Sequence, residues 1–101
     1  MEKQPQNNIQ IELTDEVAQG IYSNLAVIAH STSEFVIDFV RIMPGVPKAK
    51  VQTRIILTPE HAKRLKLALN DNIKKYESQN GEIKLQGQNF IPPIMGPVGE
   101  A

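Results

Sequence analysis

Between Glu34 and His61 the chain sets two β-branched runs around a basic, proline-bearing loop and then opens a helix, and few folds accommodate that order. Phe35, Val36, Ile37, Phe39, Val40 and Ile42 make residues 33–43 a strand, because β-branched and aromatic side chains pack well on a pleated surface. Pro44 and Pro47 have no N–H to give to a sheet ladder, so residues 44–50 are a loop. Val51, Ile55, Ile56 and Leu57 belong to the next strand, residues 51–57. Thr58, Pro59 and Glu60 then supply an N-cap, a first-turn proline and an acid at the positive end of a helix dipole. Ala62, Leu65, Ala68, Leu69, Ile73 and Tyr76 follow at three- and four-residue spacing, with Lys63, Lys66, Asn70 and Lys74 off the stripe. Gly81, after Asn80, ends the helix as a left-handed cap.

Upstream, Ile9, Ile11 and Leu13 alternate with Gln10 and Glu12, the period of a short strand. Residues 14–20 hold Asp15, Glu16 and Gly20 and read as a connection or one helical turn. Residues 21–30 form a second strand. It joins the third through a tight turn at Ser31 and Thr32, or through a longer loop with a bulge, since Ser-Thr is not a favoured type I′ pair. If His30 pairs with Ser33, Ile28 faces Phe35, Ala26 faces Ile37, Asn24 faces Phe39 and Tyr22 faces Arg41. Leu25, Val27 and Ala29 then share the other face with Val36, Asp38 and Val40. Both faces are apolar, whereas a solvated antiparallel sheet keeps one face polar. One helix covers one face. The expected fold is therefore α+β: a four-stranded antiparallel sheet of order β-β-β-β-α, one long C-terminal helix on one face, and a sheet-mediated homo-oligomer.

A chain of 101 residues builds one domain, placed at 9–81 between a disordered tail at 1–8 and a Gly- and Pro-rich tail at 82–101. It has no cysteine, which removes disulfides and thiolate chemistry and fits a reducing compartment. Spanning a bilayer takes about 18 consecutive apolar residues, and no run approaches that. The start of the chain is polar, unlike a signal peptide. The expected location is the cytoplasm, with no membrane contact.

The zero net charge conceals a division. Residues 1–47 hold two cations against six acids, and residues 48–75 hold eight cations against two acids. Such a chain either pairs its charges between elements or turns a basic face to an acidic partner. Lys48 and Lys50 in the loop, Arg54, and Lys63 and Lys66 on the helix are the candidate contacts of that face. The Pro44-Gly45 loop lacks the glycine spacing of a nucleotide loop and does not lead into a helix. Direct nucleic-acid contact is disfavoured by the neutral total and the few aromatics, but stays open as an alternative. In the tail, Phe90, Ile91, Ile94 and Met95 flank Pro92 and Pro93, a segment that either packs back on the domain or docks in extended form on a partner.

Nothing assembles into a catalytic set. His30 lies beside Ser31 and Ser33, but no third group orients the imidazole and no oxyanion donors are evident. Two distant histidines without cysteine make no zinc or transition-metal site. Glu34 and Asp38 sit four residues apart on a strand, roughly 13 Å at about 3.3 Å per residue, too far to share a proton. Asp38 is expected to pair with Arg41, with Arg54, or with a cation of a partner subunit. No catalytic residue, cofactor or metal is expected.

The order and spacing of Glu34-Phe-Val-Ile-Asp-Phe39, Arg41-Ile-Met-Pro-Gly45, Arg54-Ile-Ile-Leu-Thr-Pro59 and His61-Ala-Lys-Arg-Leu65, followed by Leu69, Asn72, Ile73 and Tyr76, resemble the domain-of-unknown-function 3467 family of short bacterial and archaeal proteins. The resemblance runs from Ile21 to Tyr76 and implies a fold without an established activity. Four antiparallel strands before a helix are also similar in topology to the export chaperone SecB, which implies binding of unfolded polypeptides as an alternative function. This chain lacks the acidic surface and second long helix of that chaperone. Members of the resembled family tend to be encoded beside the large RNA polymerase subunits, which implies a small accessory protein of that enzyme. The expectation is a non-enzymatic interaction module with a protein partner.

Overall fold

A computed structural model describes residues 8–86 and contains, in chain order, α1 (Asp15–Ala18), β1 (Leu25–His30), β2 (Phe35–Arg41), β3 (Lys50–Leu57) and α2 (Pro59–Asn80). The strands form one antiparallel sheet in the order β1-β2-β3. The α+β class and the C-terminal helix follow the sequence expectation. The strand count does not: residues 9–13 are in no strand, and the sheet has three strands among the described residues. The four-strand order behind the likeness to SecB is not found among the described residues.

Residues 14–20 take the helical-turn alternative. Thr14 caps α1, its Oγ1 accepting from the Val17 N–H at 3.2 Å. The expected strand at 21–30 begins only at Leu25, and side chains explain the late start. The Asn24 carboxamide donates to the Ile42 carbonyl at 3.0 Å and accepts from the Ile42 N–H at 2.8 Å. The Ser23 hydroxyl is within hydrogen-bonding distance of the Leu25 and Val40 carbonyls. Side chains here substitute for the ladder, as short polar residues do at the ends of regular structure.

His30 pairs with Phe35, not Ser33, so the hairpin loop is the longer of the two alternatives. Ser31 closes it: its N–H donates to the Glu34 carbonyl at 2.9 Å, and its Oγ accepts from the N–H groups of Ser33 and Glu34. The register slips by two residues from the one expected, so every side chain keeps its face. Ala26, Phe39 and Thr53 make one row across the three strands, and Ile28, Ile37 and Ile55 another on the same face. On the other face Val27, Asp38 and Arg54 make one row across the three strands, and Ala29, Val36 and Ile56 another. A register shift between Phe39 and Val40 brings Val51, not Gln52, opposite Val40. The loop before β3 turns at Pro44 and Gly45. The Val46 N–H reaches the Met43 carbonyl at 3.2 Å and Gly45 sits at φ +80°, the positive φ a type II turn requires there.

α2 starts where the sequence places it. The Thr58 Oγ1 accepts from the His61 N–H at 3.1 Å with Pro59 in the first turn, and Gly81 ends the helix at φ +88°. No described residue of α2 is buried. Among the described residues the buried hydrophobic ones are Val27, Val40 and Leu57, joined by Asp38. The radius of gyration is 17.2 Å, against about 12–13 Å for a compact domain of roughly 80–100 residues. The structure is extended, 54 × 36 × 31 Å along its principal axes, because helix and sheet scarcely fold onto each other: the expected packing of the helix on one sheet face does not form in the single chain.

Candidate interaction surface

The apolar side chains that the strand and helix periods select do not enclose one another. Ile28 and Ile55 flank Ile37 on one face of the sheet and are themselves exposed. Val51 and Ile56 are exposed beside β2 on the other. The helix stripe of Leu65, Leu69, Ile73 and Tyr76 also faces solvent. Ile21, Ser23, Leu25, Ala26, Phe39 and Thr53 line an open depression of about 700 Å³ against the sheet. This exposed apolar surface is distributed over both sheet faces and the helix.

Asp38 is the polar centre of the sheet. It pairs with Arg54 across the β2–β3 ladder, through Nε to Oδ1 at 2.6 Å and Nη2 to Oδ2 at 2.8 Å. This resolves the expected pairing in favour of Arg54. Arg41 instead lies over the ring of Tyr22, its guanidinium carbon 5.8 Å from the centroid. The Arg54 hydrogen bonds hold the Asp38 carboxyl below its ordinary value against the opposing effect of burial, and the attraction of the two charges adds to them. The same bonds raise Arg54 above its ordinary value. Arg54, a candidate partner contact by sequence, is thus engaged within the sheet.

The other candidate cations do not converge on one patch. Lys48 and Lys50 lie with Arg41, Met43 and Val46 around a depression of about 240 Å³ at the start of β3. Lys63 and Lys66 lie on α2, which begins at the far end of that strand, about 23 Å away at the rise of an extended chain. Three ion pairs join described residues, and Arg64–Glu60 and Lys75–Asp71 are helix surface pairs four residues apart. Among the described residues only Asp38–Arg54 joins separate elements. Phe90, Ile91, Ile94 and Met95, the apolar candidates of the tail, lie outside the described residues.

The nucleophile–base arrangement at His30 does not form. The imidazole stacks on Phe35 with ring centroids 5.3 Å apart, and no hydrogen bond joins it to Ser31 or Ser33. Among the described residues no group of three His, Cys, Asp or Glu side chains could hold a metal, and no helix is long and apolar enough to cross a membrane.

Sequence reasoning missed the extent of exposure at residues 9–22. Ile9, Ile11, Leu13, Val17, Ile21 and Tyr22 are all exposed. The signal was present in the alternation of Ile9, Ile11 and Leu13, which marks a strand but not the sheet it joins. Neither a curated protein nor a solved structure matches the chain. Residues 1–85, a span that takes in this first segment as well as the stretch from Ile21 to Tyr76, match the model of the family described as Protein of unknown function (DUF3467), and the chain belongs to that family.

Proposed function

We propose that the chain is a non-enzymatic protein-interaction module that acts as a sheet-mediated homo-oligomer in the cytoplasm, and that its partner is bacterial RNA polymerase. The single observation that carries the interaction role is the imbalance of burial: both sheet faces and the helix stripe present apolar side chains, while among the described residues Val27, Val40 and Leu57 are the buried apolar ones. The polymerase assignment draws on the genomic association implied by the family resemblance. Lys48 and Lys50, set beside Met43 and Val46, form a mixed basic and apolar contact suited to an acidic protein surface. Lys63 and Lys66 offer a second contact from α2, and Phe90, Ile91, Ile94 and Met95 an apolar anchor.

A second reading is favoured by the open depression along Ile21, Leu25, Ala26 and Phe39, which an unfolded polypeptide could occupy. In that reading the module is a holdase resembling SecB. Nucleic-acid binding ranks below both, because Arg54 is committed to Asp38 and the remaining cations are divided between two ends of β3.

The test is native affinity purification of the full chain beside a truncation ending at Gly87, with mass spectrometry of the captured proteins. Stoichiometric polymerase subunits that vanish with the truncation are the expected result. A broad set of unfolded clients, equal for both forms, overturns the polymerase reading in favour of the holdase. Recovery of no stoichiometric partner and no clients removes both.

A further inference from the structure

β1 is an edge strand with none of the usual protections. Its sequence, Leu25-Ala-Val-Ile-Ala-His30, has no proline and no fixed charge, and no bulge interrupts its pairing with β2. The opposite edge, β3, carries Lys50, Arg54 and a register irregularity, three devices that discourage a further strand. Among the described residues no backbone hydrogen bond reaches β1 from the side away from β2. Ile28, on this outer strand, is half exposed. An unprotected row of amides and carbonyls beside an exposed isoleucine is a template for one more strand.

The same chain carries an unplaced strand. Residues 9–13 alternate Ile9, Ile11 and Leu13 with Gln10 and Glu12. In the structure they are neither helix nor strand, and Ile11 is 93% exposed. Their connection to β1 is ordered locally: α1 is capped by Thr14, Gly20 turns at φ +78°, and Ser23 and Asn24 are bonded to the β2 end of the sheet. The arm therefore leaves a defined point of the sheet and stands clear of its own β1.

We infer that residues 9–13 are the missing fourth strand supplied in trans: the arm of one copy adds to the β1 edge of a second copy, and the exchange is reciprocal. A two-fold contact satisfies both unsatisfied elements twice, with the same surface on each protomer. Strand addition joins main chain to main chain, and alternation sends Ile9, Ile11 and Leu13 to one face of the extended sheet, where Ile28 needs a lateral neighbour. This rests on the oligomer of the proposed function and specifies its contact.

The chain has no cysteine, so introduced thiols report without background. Gln10→Cys, Ile11→Cys and Glu12→Cys, each on the full chain, are mixed pairwise under mild oxidation with differently tagged Ala26→Cys and Ala29→Cys. Ser78→Cys, near the end of α2, sets the collisional baseline. Testing three neighbouring arm positions covers both side-chain parities and a shift of register, and variants are compared at unchanged circular dichroism. The expected result is a mixed disulfide between arm and β1 variants, several-fold above baseline. A disulfide dimer of Ala26→Cys or Ala29→Cys alone, exceeding every mixed product, means that two β1 edges pair directly and overturns the exchange. Closure only within a doubly substituted Ile11→Cys/Ala26→Cys chain, whose two thiols lie on the Ile28 face, means that the arm folds back in cis and overturns it equally. So does a baseline yield at all pairs. Sedimentation of the unsubstituted chain separates this failure from that of the oligomer itself: a monomer removes both, and an oligomer without mixed disulfide removes only the exchange.

Discussion

Asp38 shows what one residue contributes when its surroundings are apolar. It is buried between Val27 and Arg54 in the middle of the sheet, where an ionised carboxylate without a partner is costly. The two-bond pair with Arg54 makes the charged form the favoured one and holds the carboxyl below its ordinary value of 3.8. A group depressed in the folded state adds stability above its unfolded pKa and loses it as pH falls through the folded one. Asp38→Asn is therefore expected to lower the thermal midpoint at neutral pH. The gap to the unsubstituted chain narrows as pH drops below about 4, near the ordinary carboxylate value. Thermal melts from pH 7 to pH 2 check this, and a gap that stays constant across that range refutes it. From the sequence, Asp38 was legible as an acid in need of a cation. Which arginine supplied it depended on the β2–β3 register, which places Arg54 directly opposite and leaves Arg41 at the strand end over Tyr22.

At the scale of elements, α2 is the part most fully written in local chemistry. Its cap, first-turn proline and terminal glycine act within a few residues of chain; the cap and the proline form as read, and Gly81 ends the helix at positive φ but at ψ 165°, outside the left-handed helical conformation expected. Thr58→Ala is expected to cost about 1 kcal/mol, because the hydroxyl satisfies the otherwise orphaned His61 N–H. Gly81→Ala should cost about 1 kcal/mol for a different reason: open space surrounds the glycine, so the penalty is the strain of a side chain at positive φ. Chemical denaturation of both variants separates the effects, since a cap and a stop at opposite ends should add. The hairpin was less legible. Strand propensity continues through Ile21 and Tyr22, yet Asn24 ends the ladder by bonding both backbone groups of Ile42. Asn24→Ala is expected to fray this end, with faster amide exchange at Leu25 and Ile42 and protection in the middle of β2 unchanged. Equal loss along the whole sheet would argue against a local role.

The whole molecule is governed by what it fails to enclose. A helix whose apolar stripe is exposed and a sheet with exposed apolar side chains on both faces leave little core among the described residues, and the proposed oligomer would add stability by mass action. The thermal midpoint is therefore expected to rise with protein concentration across a hundredfold dilution series. A midpoint independent of concentration, together with a monomeric sedimentation coefficient, would contradict an obligate oligomer.

Local sequence was sufficient for the class of fold, the extent of the long helix, β3 to within one residue and β2 to within two at each end, and the presence of apolar residues on both sheet faces. These depend on periodicity, caps and backbone restrictions that act over one to four residues. Tertiary structure decided the hairpin register, the partner of Asp38, the separation of Lys48 and Lys50 from the cations of α2, and the exclusion of residues 9–13 from their own sheet. Each of these turns on which distant segments meet. Alternation in five residues states that a strand can form, but the backbone partner that completes it lies elsewhere, and nothing within the segment specifies where.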